Sequence, residues 1–228
     1  MSVTENGWPH LSPGSSLIVP LKVAGRTFPG GVRSGSCKTL LTYVAAQYHL
    51  RVESLYFGNV DKDDWGYSDR PPSNHASATA IDVNATTNPQ GVAHSHTYAQ
   101  EQQIRAILRE CSMQVWWGRD WDHHDPMHFN LAPHTTLSSI ASAAHKLLNP
   151  YWWHRDLYLT GSNPAKWMRG GDVGFVQKRI GFTGSEVDNV FGPATAKAFG
   201  QLESRMVLPV TRKVTKARAF YVGTYVAA

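Results

Sequence analysis

Ala80-Ile81-Asp82-Val83-Asn84 and Met127-His128-Phe129-Asn130-Leu131 are two short stretches in which apolar and polar residues alternate. A period of two marks a strand, because successive side chains leave opposite faces of the pleat. Ile81 and Val83 take one face of the first stretch, and Asp82 and Asn84 take the other. In the second, Met127, Phe129 and Leu131 point to a core, while His128 and Asn130 point away from it. Val115-Trp116-Trp117, stopped by Gly118, reads as a third strand. If the three pair in one sheet, Asp82 and His128 share its non-core face.

Helical periodicity flanks these strands. Lys38 to Leu50 predicts a helix with Leu40, Leu41, Val44, Ala45 and Tyr48 on one face. Thr97 to Ser112 predicts a second, opened by a Thr97/Gln100 capping box and striped by Ile104, Ile107, Leu108 and Cys111. Residues 8–36 read as loops and short strands covering a core, and residues 57–79 as loop, with turns expected at Gly58-Asn59, Asp63-Asp64 and Pro71-Pro72. The fold class is therefore α+β, helices packed on an antiparallel sheet. After Pro150-Tyr151-Trp152-Trp153 the pattern changes. Arg169-Gly170-Gly171-Asp172 opens a helix carrying Val173, Val176 and Ile180 and stopping at Gly181. Gly192-Pro193 opens another, with Thr195, Phe199 and Leu202 on its apolar face. Two domains are expected, 1–150 and a small helical 151–228.

At 228 residues and 42% hydrophobic content the chain can bury a sizeable core. No apolar run approaches the roughly 20 residues that span a bilayer, so membrane insertion is not expected. Met1 to Gly14 is polar, without a basic start or an apolar stretch, and does not read as a secretory signal peptide. A cytoplasmic protein is expected. Cys37 and Cys111 are the only cysteines and read as reduced thiols, so a metal site must rest on His and Asp. The net charge is +5, and five basic residues with no acidic one lie from Arg205 to Ala228. A basic segment suits an anionic polymer, an anionic membrane or a nucleic acid. No nucleic-acid motif accompanies it, so nucleic acid ranks low.

His75, Asp82 and His128 offer two imidazoles and a carboxylate, with Asp125 three residues before the last. Three protein ligands, an open position and a nearby carboxylate base make up a catalytic zinc site. His75 and Asp82 are seven residues apart, an odd spacing that would put them on opposite faces of one strand. Ser73 to Thr79 must therefore turn before the strand begins. With 11 histidines in the chain, no single one is informative alone. His123 and His124, in the polar segment Asp120 to Asp125, could replace His128, which only strand alternation favours. His94 and His96 read as solvated.

Ser73-x-His75-x₆-Asp82 followed by Asp125-x-x-His128-Phe129 resembles the zinc peptidases of the D-alanyl-D-alanine carboxypeptidase and L-alanyl-D-glutamate endopeptidase family. The flanks Asn6-Gly7-Trp8-Pro9, Trp65-Gly66-Tyr67-x-x-Arg70, Asn88-Pro89 and Trp117-Gly118-x-Asp120 extend the likeness, which is greatest to its bacteriophage endolysin branch. The resemblance implies Zn²⁺ held by His75, Asp82 and His128, Asp125 as catalytic acid and base, Arg70 binding substrate or stabilising the oxyanion, and Ser73 contacting substrate. Ala78 departs from the family's usual glycine, and its methyl group should fit only if that residue avoids positive φ. Gly171-Asp172-Val173-x-x-Val176-Gln177 and Val187-Asp188-Asn189-Val190-Phe191-Gly192-Pro193 resemble the three-helix peptidoglycan-binding domain, with Asn189 in place of a glycine. Asn tolerates left-handed φ there.

What the resemblance implies is a monomeric zinc metallopeptidase that hydrolyses a bond in the stem peptide or cross-link of bacterial peptidoglycan. It would accumulate in the host cytoplasm before lysis, with peptidoglycan as its partner and no nucleic acid. The alternative is a non-catalytic wall-binding protein with a structural zinc, in which His123 or His124 supplies a fourth ligand.

Overall fold

The computed structural model describes residues 2–55 and 63–223. The expected turn at Gly58-Asn59 and the last five residues of the basic segment lie outside them. The chain divides into two compact units, Met1–Ala144 and His145–Ala228.

In the first unit, β1 (Ile18–Val23) and β2 (Arg26–Arg33) form an antiparallel hairpin. Its two-residue turn is Ala24-Gly25, with both residues at positive φ (47° and 78°), which matches the twist of the strands it joins. Helix α1 (Ser36–Arg51) follows and packs on β1, β2 and helix α2 (Tyr98–Glu110). The Thr97/Gln100 capping box forms as expected. Strands β3 (Ala80–Asp82), β4 (Val115–Trp117) and β5 (His128–Leu131) make an antiparallel sheet in the order β3-β5-β4. The α+β architecture is the one the alternation and the helical stripes predict. Leu40, Leu41 and Val44 of α1, Ile104 and Ile107 of α2, and Ile81, Phe129 and Leu131 of the sheet are buried. Cys37 and Cys111 are free and buried in this core, and burial pushes the Cys37 thiol up to about 12.

The register decides which side chains meet. Asp82 pairs directly with His128, and Asn130 pairs with Ala80 on one side and Trp116 on the other. Two details of the strand reading are corrected. Met127 precedes β5, is half-buried, and lines the cleft described below instead of the core. Asn84 follows β3 in a left-handed turn (φ 48°). Its amide donates to Glu53 Oε2 at 2.6 Å and to the Ser54 carbonyl at 2.9 Å, away from the face that Asp82 uses.

His96 is also corrected: it is buried, not solvated. Its Nε2 lies 2.8 Å from Tyr48 Oη, and its ring meets Trp117 edge-on at 5.5 Å. Its polar sequence neighbours hide this, because the partners come from α1 and β4. Helix α3 (Leu137–Leu148) has no counterpart in the sequence reading. The Thr136 and Ser139 hydroxyls each accept the other's backbone N–H, at 3.1 and 2.9 Å, and so start it.

Ala78 takes the conformation its methyl group was expected to avoid. It closes the 3₁₀ turn Asn74–Ser77 in the left-handed region, with φ 57° and ψ 29°. It is fully buried, and its carbonyl accepts Arg33 N–H at 2.6 Å. An L-residue there costs about 1–2 kcal/mol, which the surrounding hydrogen bonds offset. Ala78→Gly should change stability by less than about 1 kcal/mol. Ala78→Val adds a β-branched side chain in a strained conformation with no space, and should cost about 2–4 kcal/mol in denaturant unfolding. A wild-type midpoint for the valine variant would contradict the left-handed turn.

The second unit contains α4 (Gly171–Arg179), α5 (Pro193–Arg205) and α6 (Lys216–Val222). Val173, Val176, Phe191, Phe199 and Ala219 are buried. Gln177 fastens the α4–α5 connection. Its Nε2 donates to Asp188 Oδ1 at 2.7 Å and to the Val190 carbonyl at 3.1 Å, and its Oε1 accepts Asn189 N–H at 2.9 Å. Asn189 sits at φ 57°, a left-handed conformation that Asn tolerates. Residues 205–223 are not a free basic tail. Val214 bridges to Leu157, Arg218 pairs with Glu203 at 3.2 Å and Lys213 with Asp156 at 3.2 Å. Among the described residues no helix is long and apolar enough to cross a membrane.

Candidate metal centre

The sheet register brings Asp82 of β3 beside His128 of β5, so cross-strand pairing alone joins two of the three expected ligands. His75 arrives by another route. The 3₁₀ turn Asn74–Ser77 is capped by Ser73, whose Oγ accepts His75 N–H at 3.3 Å. The turn reverses the odd spacing between His75 and Asp82 and swings the imidazole back over the sheet. Separations within the trio are 3.2 Å from His75 Nε2 to His128 Nδ1, 3.3 Å from His75 Nε2 to Asp82 Oδ2, and 2.9 Å from His128 Nδ1 to Asp82 Oδ1. Ligands about 2.1 Å from a tetrahedral ion lie about 3.4 Å apart. The three residues are buried and form the one group of three His, Cys, Asp or Glu able to hold a metal ion among the described residues.

The protonation pattern fits a cation. His75 Nδ1 donates to the Gly66 carbonyl at 2.5 Å, so Nε2 is the ring nitrogen that faces the trio. Burial works against charge on Asp82, yet hydrogen bonds from His128 and His75 hold its carboxyl well below the usual carboxylate range. For His75, burial disfavours the cation, but the Asp82 hydrogen bond and charge outweigh it and raise its pKa. Two imidazoles and an ionised carboxylate are the donor set zinc prefers.

Close backbone packing supports this geometry. Trp65 bridges to Asp82, with N–H···O contacts of 3.1 and 2.9 Å in the two directions. Gly66 then lies against β2, where an added Cβ would stand 2.1 Å from the Gly31 carbonyl oxygen. Only glycine lets the Gly66 carbonyl reach His75. Gly66→Ala should shift that carbonyl and free the imidazole, lowering zinc affinity about 10–100-fold, the usual cost of losing an outer-shell partner. Competition with a chromophoric chelator measures it, and unchanged affinity would show that the Gly66 contact is dispensable.

Asp125 is placed by Gly118, whose carbonyl accepts Asp125 N–H at 2.9 Å; the Asp125 carbonyl in turn accepts His128 N–H at 3.0 Å. A Cβ on Gly118 would lie 2.6 Å from the Asp125 carbonyl oxygen, so this approach also needs glycine. Asp125 is buried, and its Oδ1 has no hydrogen-bond partner among the described residues. Burial raises its pKa, His128 opposes the rise, and the charge of Asp82 adds to it.

These residues open on a cleft of about 720 Å³ that Arg70 and Ser73 also line. Arg70 is exposed, and no carboxylate among the described residues pairs with it. His123 lines the cleft but is exposed and outside the trio, while His124 Nδ1 lies 2.8 Å from the Arg119 carbonyl. Sequence reasoning did not single out Trp121, whose ring is 5.0 Å from that of His128, and gave Asn6 no role of its own. Asn6 ties the His75 turn to β5: its N–H donates to Asn74 Oδ1 at 2.8 Å and its Nδ2 to the Leu131 carbonyl at 3.0 Å. Asn6-Gly7-Trp8-Pro9 was legible only as a flanking motif, because nothing local reveals a partner 125 residues away.

Residues 67–131 match a protein-family model described as D-alanyl-D-alanine carboxypeptidase. The matched stretch contains Arg70, Ser73, His75, Asp82, Asp125 and His128 and supports a zinc peptidase domain. No curated protein and no solved structure matches the chain.

Proposed function

We propose that this chain is a zinc-dependent endolysin peptidase that hydrolyses a peptide bond in the stem peptide or cross-link of bacterial peptidoglycan. The observation that carries the reading is the His75–Asp82–His128 triangle, opening on a cleft that is also lined by the buried Asp125, whose Oδ1 has no hydrogen-bond partner among the described residues. His75, Asp82 and His128 would hold the ion. Zinc so held would supply Lewis-acid polarisation of the scissile carbonyl and would lower the pKa of a water to roughly 7. Asp125 Oδ1 takes the proton of the attacking water and returns it to the leaving amine nitrogen, so water adds across the C–N bond. Arg70, which pairs with no carboxylate among the described residues, pairs with a substrate carboxylate or with charge on the scissile carbonyl oxygen. Ser73 holds the ligand turn and presents its hydroxyl to the cleft.

The second unit is proposed as a wall-binding module that keeps a monomeric enzyme on its polymer, with release from the host cytoplasm by a separate membrane protein. The sequence likeness of α4, α5 and their connection supports this. A structural zinc would need four protein ligands, and His123 and His124 both stand outside the trio. Purified peptidoglycan incubated with the protein should yield new free amines, and a zinc chelator should abolish them. Mass spectrometry of the released muropeptides then identifies the bond. No amine release at saturating zinc would overturn the proposal; binding that collapses with salt and survives chelation would point to a polyanion binder instead.

A further inference from the structure

We infer that Asn130 is a substrate-binding residue, whose Oδ1 accepts a hydrogen bond from a backbone N–H of the peptide within about two residues of the bond that is cut. The inference rests on the peptidase reading of the same cleft. Three residues that line that cleft each carry a buried side-chain atom with no hydrogen-bond partner among the described residues: Asp125 Oδ1, His128 Nε2 and Asn130 Oδ1. Asp125 and His128 belong to proton transfer and the metal centre. Asn130 has no such explanation.

Asn130 lies two residues beyond His128 on β5, so both side chains leave the same face of the strand. It is 1% exposed. Its Nδ2 donates to the Leu131 carbonyl at 2.7 Å. Turning the amide over would set Oδ1 against that carbonyl, acceptor against acceptor, so this bond fixes which atom is left for the cleft. A buried amide oxygen without a donor is uncommon in a folded protein, and one at a binding cleft is explained by a donor that the ligand brings.

Spacing and surroundings define that donor. Residues i and i+2 of a strand are roughly 6.5–7 Å apart, which is also two residues of an extended peptide. A peptide lying along β5 with its scissile carbonyl at the metal centre therefore presents a backbone amide near Asn130. Trp116, the cross-strand partner of Asn130, lines the same cleft and is 41% exposed. A neutral oxygen beside an indole suits a neutral amide N–H, whose desolvation is modest, over a free ammonium.

The test uses the full chain loaded with zinc and a synthetic stem peptide that it cuts. In a series of analogues, each backbone N–H flanking the scissile bond is N-methylated in turn, and one further analogue is acylated at its free amine. On the wild-type protein, one N-methyl position beyond the scissile amide should cost about tenfold in kcat/KM. Asn130→Ala should raise KM about tenfold with kcat little changed, and the penalty for that one N-methyl group should disappear in it. A merely structural role would lower zinc content or the unfolding midpoint and leave the N-methyl penalty intact. The inference is overturned if no N-methyl position matters on the wild-type protein, if the penalty persists in Asn130→Ala, or if only acylation of the free amine weakens binding. A wild-type protein that cuts no peptide overturns the peptidase reading itself.

Discussion

Asp125→Asn should lower the rate of peptidoglycan hydrolysis by about 10²–10⁴-fold while leaving zinc content unchanged. The amide keeps the shape of the side chain and can occupy the turn set by the Gly118 carbonyl. It cannot take a proton from water or return one to the leaving amine. Its effect on folding has the opposite sign from that of a structural residue. Burial raises the Asp125 pKa, so the charged form is disfavoured in the folded, metal-free protein. That term opposes folding above the unfolded-state pKa and vanishes below it. Removing the charge should therefore leave the metal-free protein as stable at pH 7, or more so. Steady-state kinetics, metal analysis and denaturant unfolding on one preparation check all three expectations. An active Asp125→Asn enzyme would sink the assignment of the base, and an inactive one lacking zinc would make Asp125 part of the metal shell instead.

Asp82→Asn should weaken zinc binding by about a hundredfold or more, beyond the 10–100-fold typical of outer-shell losses, and should abolish activity at limiting zinc. The carboxylate supplies the only formal negative charge in the trio, and the two imidazoles alone are a poorer set for zinc. Metal-free stability should fall as well. The Asp82 carboxyl is held below its ordinary range by His128 and His75, so its contribution is present above the unfolded pKa and lost only as pH falls through the lower folded value. The variant lacks that contribution at neutral pH and should unfold at lower denaturant, whereas in the wild type it fades on acidification. Zinc competition at pH 7, and unfolding followed from pH 7 to well below pH 4, separate these effects. Wild-type zinc affinity in Asp82→Asn would remove Asp82 from the centre.

Much of the site was legible because strand alternation is local. Ile81 and Phe129 had to face the core, so Asp82 and His128 had to face away from it. The capping box at Thr97 and the Gly192-Pro193 helix start were legible for the same reason: they depend on residues within one turn of each other. Met127 and Asn84 were misread at strand ends, where the ladder stops and alternation no longer binds a residue to a face. His96 was misread because its partners, Tyr48 and Trp117, come from distant elements. Ala78 shows a limit of another kind. Its residue type argued against the left-handed turn, and backbone hydrogen bonds to its carbonyl and N–H outweighed that preference.

The sequence by itself determined the strands and helical stripes of an α+β chain, that Asp82 and His128 each turn away from the core face of their own strand, and the need for a turn before β3, since each follows from a periodicity or from an odd spacing. Only the tertiary structure decided that His128 and not His123 or His124 completes the trio with His75 and Asp82, that the Gly66 carbonyl orients His75, and that Asn130, a residue of the cleft lining, carries an amide oxygen with no partner among the described residues. Those facts depend on backbones approaching to within a missing Cβ and on hydrogen bonds between residues far apart in the chain. Neither leaves a period or a spacing that can be read along it.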